Sequence, residues 1–161
     1  KNMKINELNA CVLKRDRHKH IVEILTKMKV KINYITDGDI AGALSVIGEN
    51  PKNDIYYSTG GAPEGVVVAA ALSCFGGQIQ GRLVLNDEEK IRAKKLGIND
   101  FNKKYNLEDM VKGDVIFCAS AITNGNIVEG VKDLGDKYEV STFALHKDLK
   151  ISKKVKNYHL K

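Results

Sequence analysis

The sequence predicts an α/β fold, a layered mixed β-sheet flanked by helices. Strand-like runs such as VKINYI (30–35) and DIYYST (54–59) recur along the chain. Each of these runs ends in a turn rich in glycine or aspartate, and a segment with helical apolar spacing follows. With 161 residues, of which 43% are hydrophobic, the chain is long enough for one core. We therefore expect a single domain over residues 1–161.

The elements of the first half follow from these patterns in order. An apolar stretch, ACVL (10–13), precedes a helical pattern that begins in KRDRH (14–18) and runs to Met28. The remaining predicted elements are the strand 30–35 ended by TDGD (36–39), the helix 40–48 with Pro51 marking the turn out, the strand 54–59, and the helix 63–76.

The second half continues with less regular alternation. The predicted elements are a strand QGRLVL (80–85), a helix 87–97 ending at Gly97, a strand DVIFCASAI (114–122), a turn NGN (124–126), and two strands at 138–146 and 149–159 joined by a short polar turn. The last two strands favour a sheet that contains antiparallel pairs.

Charge and hydropathy limit the partners. The net charge of +6 favours anionic partners in general. The segment 146–161 holds six lysines, but aromatic interleaving and a nucleic-acid-binding motif are lacking, so we predict a solvated strand face and no nucleic-acid partner. The longest apolar run, 66–75, is too short for a membrane span, and no signal pattern opens the chain. We predict no membrane partner and a cytoplasmic location.

The three cysteines are predicted to be reduced core residues. Cys11, Cys74 and Cys118 lie far apart in apolar surroundings, without the spacing of a metal or redox motif.

A glycine-rich turn, Gly60 to Gly65, opens the helix 63–76. Pro63 suits the first helical position. Glycines that can adopt positive φ let backbone N–H groups approach a ligand, and the helix dipole favours an anion. Glu64 has two interpretations, since a carboxylate in the first turn also stabilises the dipole without any further function.

Two more polar clusters follow predicted strands. Asp37-Gly38-Asp39 provides a helix N-cap in Asp37, or two carboxylates that accept from sugar hydroxyls or hold a divalent metal. Arg15-Asp16-Arg17-His18 is a solvated helix start, or a pair of guanidiniums that binds phosphate. His18, beside two arginines, is predicted to be a hydrogen-bond donor or a packed residue rather than a base.

Together the three clusters indicate a phosphosugar site with a metal, in the crevice beyond the carboxyl ends of the strands. A cationic clamp, an acid pair that accepts from hydroxyls and a glycine turn with a carboxylate are the parts such a site requires.

Four segments carry a family resemblance: VLKRDRHKHIVEIL, TDGDIAGAL, YYSTGGAPEGVVVAAALSCFGGQIQGRL and GDVIFCASAITNGNIVEGV. In this order they resemble class II fructose-1,6-bisphosphatases, including the bifunctional fructose/sedoheptulose bisphosphatases. The resemblance implies a Mn²⁺- or Mg²⁺-dependent phosphatase with the fold of the lithium-sensitive inositol phosphatases. It implies substrate contacts from Arg15, Asp16, Arg17, Asp37, Gly38, Asp39 and Gly61, and a metal ligand in Glu64. Asp16 stands where the family usually has proline.

The resemblance also implies that this chain matches only the C-terminal half of the family. The N-terminal half, with the other metal-binding carboxylates and the threonine that positions the attacking water, is then a partner, and the chain alone has no identified catalytic residue and little activity. A homo-oligomer is expected. Two alternatives stay open: a non-catalytic phosphosugar-binding domain, and hydrolysis of sedoheptulose 1,7-bisphosphate.

Overall fold

The computed structural model describes residues 3–47, 50–125 and 127–161. Its strands are β1 (Asn9–Leu13), β2 (Lys31–Ile35), β3 (Ile55–Tyr57), β4 (Gln80–Gly81), β5 (Tyr105–Asn106), β6 (Ile116–Ser120), β7 (Lys132–Asp133), β8 (Lys137–His146) and β9 (Ile151–Leu160). Its α-helices are α1 (Lys19–Lys27), α2 (Asp39–Leu44), α3 (Ala62–Phe75), α4 (Asp87–Lys95) and α5 (Leu107–Met110). The α/β class is confirmed.

A parallel sheet with the order β2-β1-β3 places the polar clusters. The central strand β1 is apolar on both faces, and its residues 10–13 are at most 3% exposed. Leu13 pairs with Ile35, and Val12 pairs with Tyr57, so the three strands end at one edge of the sheet. The turns that follow these strands hold the arginine, aspartate and glycine clusters.

Helices α2 and α3 pack together and connect this sheet to a second one. The core joins Leu44 of α2 and Ala71 of α3 to Phe117, Phe143 and Leu145 of the second sheet. A Cβ at position 42 would lie 2.5 Å from the Tyr56 ring. Because Gly42 has no side chain, α2 can lie directly on β3.

The second sheet is antiparallel. Strand β8 pairs with β6 and β7 on one side and with β9 on the other. The predicted hairpin of the last two strands is confirmed. The prediction of one mixed sheet is wrong, because the described strands form three separate sheets: the parallel one, this antiparallel one and the antiparallel pair β4-β5. Strand β9 returns directly along β8 and is antiparallel to it, whereas β2 needs helix α1 to return parallel to β1.

The lysines of β9 lie on an exposed strand, as predicted. Lys156 contacts the carboxylates of Glu129 and Glu139, and Lys161 contacts Asp133. Part of the positive charge is thus neutralised on the neighbouring strands.

Four details differ from the sequence prediction. The predicted strand 80–85 is reduced to Gln80–Gly81, because only two residues of β5 pair with it and Val84 is 78% exposed. Helix α2 ends at Leu44. Its N-cap is Gly38, at φ 85°, rather than Asp37. Cys118 is exposed, because it lies on the face of β6 opposite to the buried Phe117, while Cys11 is buried.

Helix α3 exposes apolar residues in its first half and has no charged residue after Glu64. Between Glu64 and Arg82 the sequence contains no charged residue, yet Val66 and Val67 are 45% and 40% exposed. A helix that is apolar all round is usually buried. Gly48, at the end of the predicted helix 40–48, and Asn126, in the predicted turn 124–126, lie outside the described residues, as does Glu49. Within the described ranges, no helix is both long and apolar enough to cross a bilayer.

Candidate functional site

Hydrogen bonds join the arginine turn to the start of the glycine turn. The Arg17 Nε–H donates to the Thr59 carbonyl oxygen over 2.6 Å, and the Thr59 backbone N–H donates to His18 Nε2 over 2.9 Å. Thr59 follows β3, and the two side chains follow β1. The structure therefore brings together two of the three predicted clusters.

Asp39 ties the aspartate turn to the same place. Its Oδ1 accepts from the Tyr56 and Ser58 hydroxyls, each over 2.5 Å. A Cβ at Gly60 would lie 3.3 Å from Asp39 Oδ2 and 3.5 Å from Glu64 Oε2. The carboxylates of Asp39 and Glu64 thus flank Gly60, a position that leaves them room because it has no side chain.

The electrostatics of Asp39 are set by these neighbours. Partial burial raises its pKa, but hydrogen bonds from Ser58 and Tyr56, with the charge of Arg17, outweigh burial and hold the pKa below its ordinary value. Conversely, burial and the hydrogen bond to Asp39 raise the pKa of Tyr56. Asp39 is therefore an ionised carboxylate and Tyr56 a neutral hydroxyl donor.

Glu64 combines a structural contact with exposure. Its Oε2 accepts from the Gly61 N–H over 3.2 Å, which confirms the capping interpretation. The side chain is exposed, and no other hydrogen bond or ion pair of Glu64 is formed within the described residues. Gly61 has φ −67°, so the expected use of positive φ is wrong here. Its small size matters instead, since a Cβ would lie 3.2 Å from Glu64 Oε2.

Other predicted site residues have their intramolecular contacts outside this group. Asp16 is 94% exposed and pairs with Lys19 over 3.0 Å, while Arg15 donates to the Lys14 carbonyl. Arg15 lines a cavity of about 660 Å³ beside α1, and Asp37 lines another of about 340 Å³ beside α2. Arg17, Asp39, Gly60, Gly61 and Glu64 form the compact group, which we call the edge cluster.

The sequence analysis did not predict that Tyr56, Ser58 and Thr59 form hydrogen bonds with residues of the arginine and aspartate turns. Their signal was present, since the segment YYST places hydroxyl-bearing residues directly before the glycine turn. His18 was expected to donate a hydrogen bond or to be packed, and the structure shows a buried ring that contacts both Leu13 and Thr59.

Replacing Asp39 with asparagine should lower the free energy of unfolding by about 1–3 kcal/mol at neutral pH, because two hydroxyls lose a charged acceptor. The folded-state pKa of Asp39 is lowered from 3.8, so its contribution is complete above that value. The contribution is lost as the pH falls through the lowered pKa. Urea unfolding of both proteins at pH 7 and at acid pH checks this.

The matched control is Asp16→Asn, because Asp16 is exposed and its surface pair contributes about 0–1 kcal/mol. An Asp39→Asn difference that did not shrink at acid pH would show that the carboxylate charge is not its source.

The carboxylates of the edge cluster are the candidate ligands for a metal ion. Within the described residues, no three His, Cys, Asp or Glu side chains are grouped as a metal centre requires. Asp39 already accepts two hydroxyls, and Glu64 retains an oxygen for a cation. The edge cluster fits one ligand position of a divalent metal and does not complete its coordination.

Comparison with known proteins decides the family. The family model described as bacterial fructose-1,6-bisphosphatase, glpX-encoded, matches residues 1–159. The chain belongs to this family. It is 30% identical to the class 2 fructose-1,6-bisphosphatase of Haemophilus influenzae, over 96% of this chain and 51% of that protein.

Two further relatives of this family member carry a double name. They are D-fructose 1,6-bisphosphatase class 2/sedoheptulose 1,7-bisphosphatases of Acaryochloris marina and of a Synechococcus strain. Each is 30% identical, over 97% and 98% of this chain and 49% of each relative. The chain thus spans about half the length of the curated relatives it matches.

Proposed function

We propose that this chain holds a sugar bisphosphate for metal-dependent hydrolysis of fructose 1,6-bisphosphate to fructose 6-phosphate and phosphate, a step of gluconeogenesis. The observation that carries the proposal is the edge cluster. A guanidinium, the N-terminus of α3 and a hydroxyl-bonded carboxylate converge at the ends of three parallel strands. The family membership supports the reaction class.

Each residue has a role that its contacts support. Arg17 binds a phosphate group through its Nη groups, since its only hydrogen bond within the described residues is the Nε contact with Thr59. The positive end of the α3 dipole favours an anion at the same place. Asp39 accepts from a sugar hydroxyl through Oδ2, because Oδ1 is already occupied by Tyr56 and Ser58.

Glu64 holds one divalent ion, Mn²⁺ or Mg²⁺, with the oxygen that does not cap α3. Such an ion, when bound, supplies charge stabilisation to the phosphoryl oxygens and activates a water. Arg15, Asp16, Asp37 and Gly38 are proposed as further substrate contacts from the family resemblance.

We also propose that this chain works together with a further part of the protein, the N-terminal half of the lithium-sensitive phosphatase fold. Three observations support it: the relatives are about twice as long, Glu64 is the one edge-cluster carboxylate that accepts from no hydroxyl within the described residues, and Val66 and Val67 on α3 are exposed. A cytoplasmic homo-oligomer remains part of the proposal.

Two of the relatives support a second candidate substrate, since their names include sedoheptulose 1,7-bisphosphatase. Fructose and sedoheptulose bisphosphates share the phosphate and hydroxyl pattern that Arg17 and Asp39 would bind. A comparison of calorimetric affinities for the two sugars decides between them.

Replacing Arg17 with alanine should weaken fructose 1,6-bisphosphate binding about 10–100-fold, because charge-assisted hydrogen bonds contribute roughly 1.5–3 kcal/mol. The affinity of Arg17→Lys should lie between those of the wild-type protein and Arg17→Ala, since lysine keeps the charge without the planar fork. Isothermal titration calorimetry measures the affinity, with fructose as the ligand that lacks phosphate.

Arg92→Ala on α4 is the matched control, because it removes an arginine outside the edge cluster. Equal affinity of the wild-type protein and Arg17→Ala would remove Arg17 from the proposed site.

A further inference from the structure

The ring of His18 is buried, at 1% exposure, and both of its nitrogens are engaged. Nδ1 lies 2.6 Å from the Leu13 carbonyl oxygen, and Nε2 lies 2.9 Å from the Thr59 backbone nitrogen. A carbonyl can only accept, and a backbone N–H can only donate. The contacts therefore require the neutral tautomer with the proton on Nδ1.

Thr59 is held from two sides by consecutive residues. Arg17 Nε binds its carbonyl oxygen and His18 Nε2 binds its N–H, so both backbone polar groups of Thr59 face one turn. Gly60 and Gly61 follow directly. The position of the glycine turn relative to the Arg17 guanidinium is thus set by His18 as well as by Arg17 itself.

We propose that His18 is a positioning residue for anion binding: its neutral ring fixes the glycine turn against the arginine turn, so that Arg17 and the N-terminus of α3 face the same phosphate group. The anion-binding part rests on the proposed function, whereas the tautomer and the tie to Thr59 do not. A packing role alone would require only the volume of the ring.

The first test uses the wild-type chain and needs no variant. Nitrogen-15 NMR of the imidazole rings at neutral pH should show the proton of His18 on Nδ1. A proton on Nε2 of His18, or a doubly protonated ring, would overturn the proposal even if no variant folds.

The second test compares His18→Gln with His18→Leu. The glutamine side chain offers an acceptor to Thr59 and a donor to Leu13, whereas leucine offers volume alone. In His18→Leu we expect faster amide exchange at Thr59, Gly60 and Gly61 and about 3–10-fold weaker binding of fructose 1,6-bisphosphate, the effect of one net hydrogen bond. In His18→Gln the amide exchange rates and the affinity for fructose 1,6-bisphosphate should both be closer to the wild-type values.

Wild-type exchange and affinity in His18→Leu would overturn the positioning role. If the wild-type chain binds no fructose 1,6-bisphosphate, the proposed function fails on that result. The exchange rates then still decide whether His18 holds the glycine turn, since faster exchange in His18→Leu supports that tie and unchanged exchange overturns it.

Discussion

Replacing Glu64 with glutamine should weaken Mn²⁺ binding beside the glycine turn by more than the roughly 10–100-fold that loss of an outer-shell partner costs, because it removes the charged ligand itself. Helix α3 should remain intact, since the amide oxygen of glutamine can still accept from the Gly61 N–H. The variant therefore separates the metal role of Glu64 from its capping role.

Paramagnetic broadening of backbone amide signals during a Mn²⁺ titration measures this effect in the chain itself. In the wild-type protein the signals of Gly60, Gly61 and Gly65 should broaden first, and in Glu64→Gln they should not. Glu89→Gln is the matched control, because Glu89 caps α4 through the Asn86 N–H at 2.8 Å in the same way but lies outside the edge cluster.

Broadening that persisted at the glycine turn in Glu64→Gln would contradict the proposed metal ligand. The same variant also separates the two classes of function. In a protein with the complete active site, unchanged turnover of Glu64→Gln would favour the non-catalytic phosphosugar-binding domain.

The sequence was sufficient to predict the strand-turn-helix units of the first half. Each unit carries its own signals, such as Pro63 in the first turn of α3 and the glycine-rich turns after β2 and β3. The convergence of the three polar clusters was also predictable, because parallel strands end at one edge of a sheet.

The division into three sheets was not predictable, because it depends on which distant strands pair. A two-residue partner in β5 is enough to limit the strand predicted at 80–85. The exposure of Cys118 was not predictable either, because an apolar run in the sequence does not show which face of β6 is covered by α3.

Side-chain direction within a cluster was the other unpredictable feature. Arg15 and Arg17 are two residues apart, yet only Arg17 reaches Thr59, whereas Arg15 lines the cavity beside α1. The turn Asp16–His18 follows Arg15, and its last residue accepts a long-range hydrogen bond from the Thr59 N–H, which sequence patterns do not indicate.

The chain alone should release little or no phosphate from fructose 1,6-bisphosphate. One available carboxylate cannot assemble a multi-metal site, and the described residues hold no group of three metal-binding side chains. Loss of a single transition-state-stabilising group costs about 100–1,000-fold in rate, so a site that lacks most of its ligands should fall further.

The most direct measurement is phosphate release from fructose 1,6-bisphosphate with saturating Mn²⁺, with the full-length Haemophilus influenzae relative as the positive control. We expect the purified chain to bind the sugar and to release phosphate no faster than the blank. A turnover rate similar to that of the full-length relative would contradict the account that this chain supplies substrate contacts and a single metal ligand.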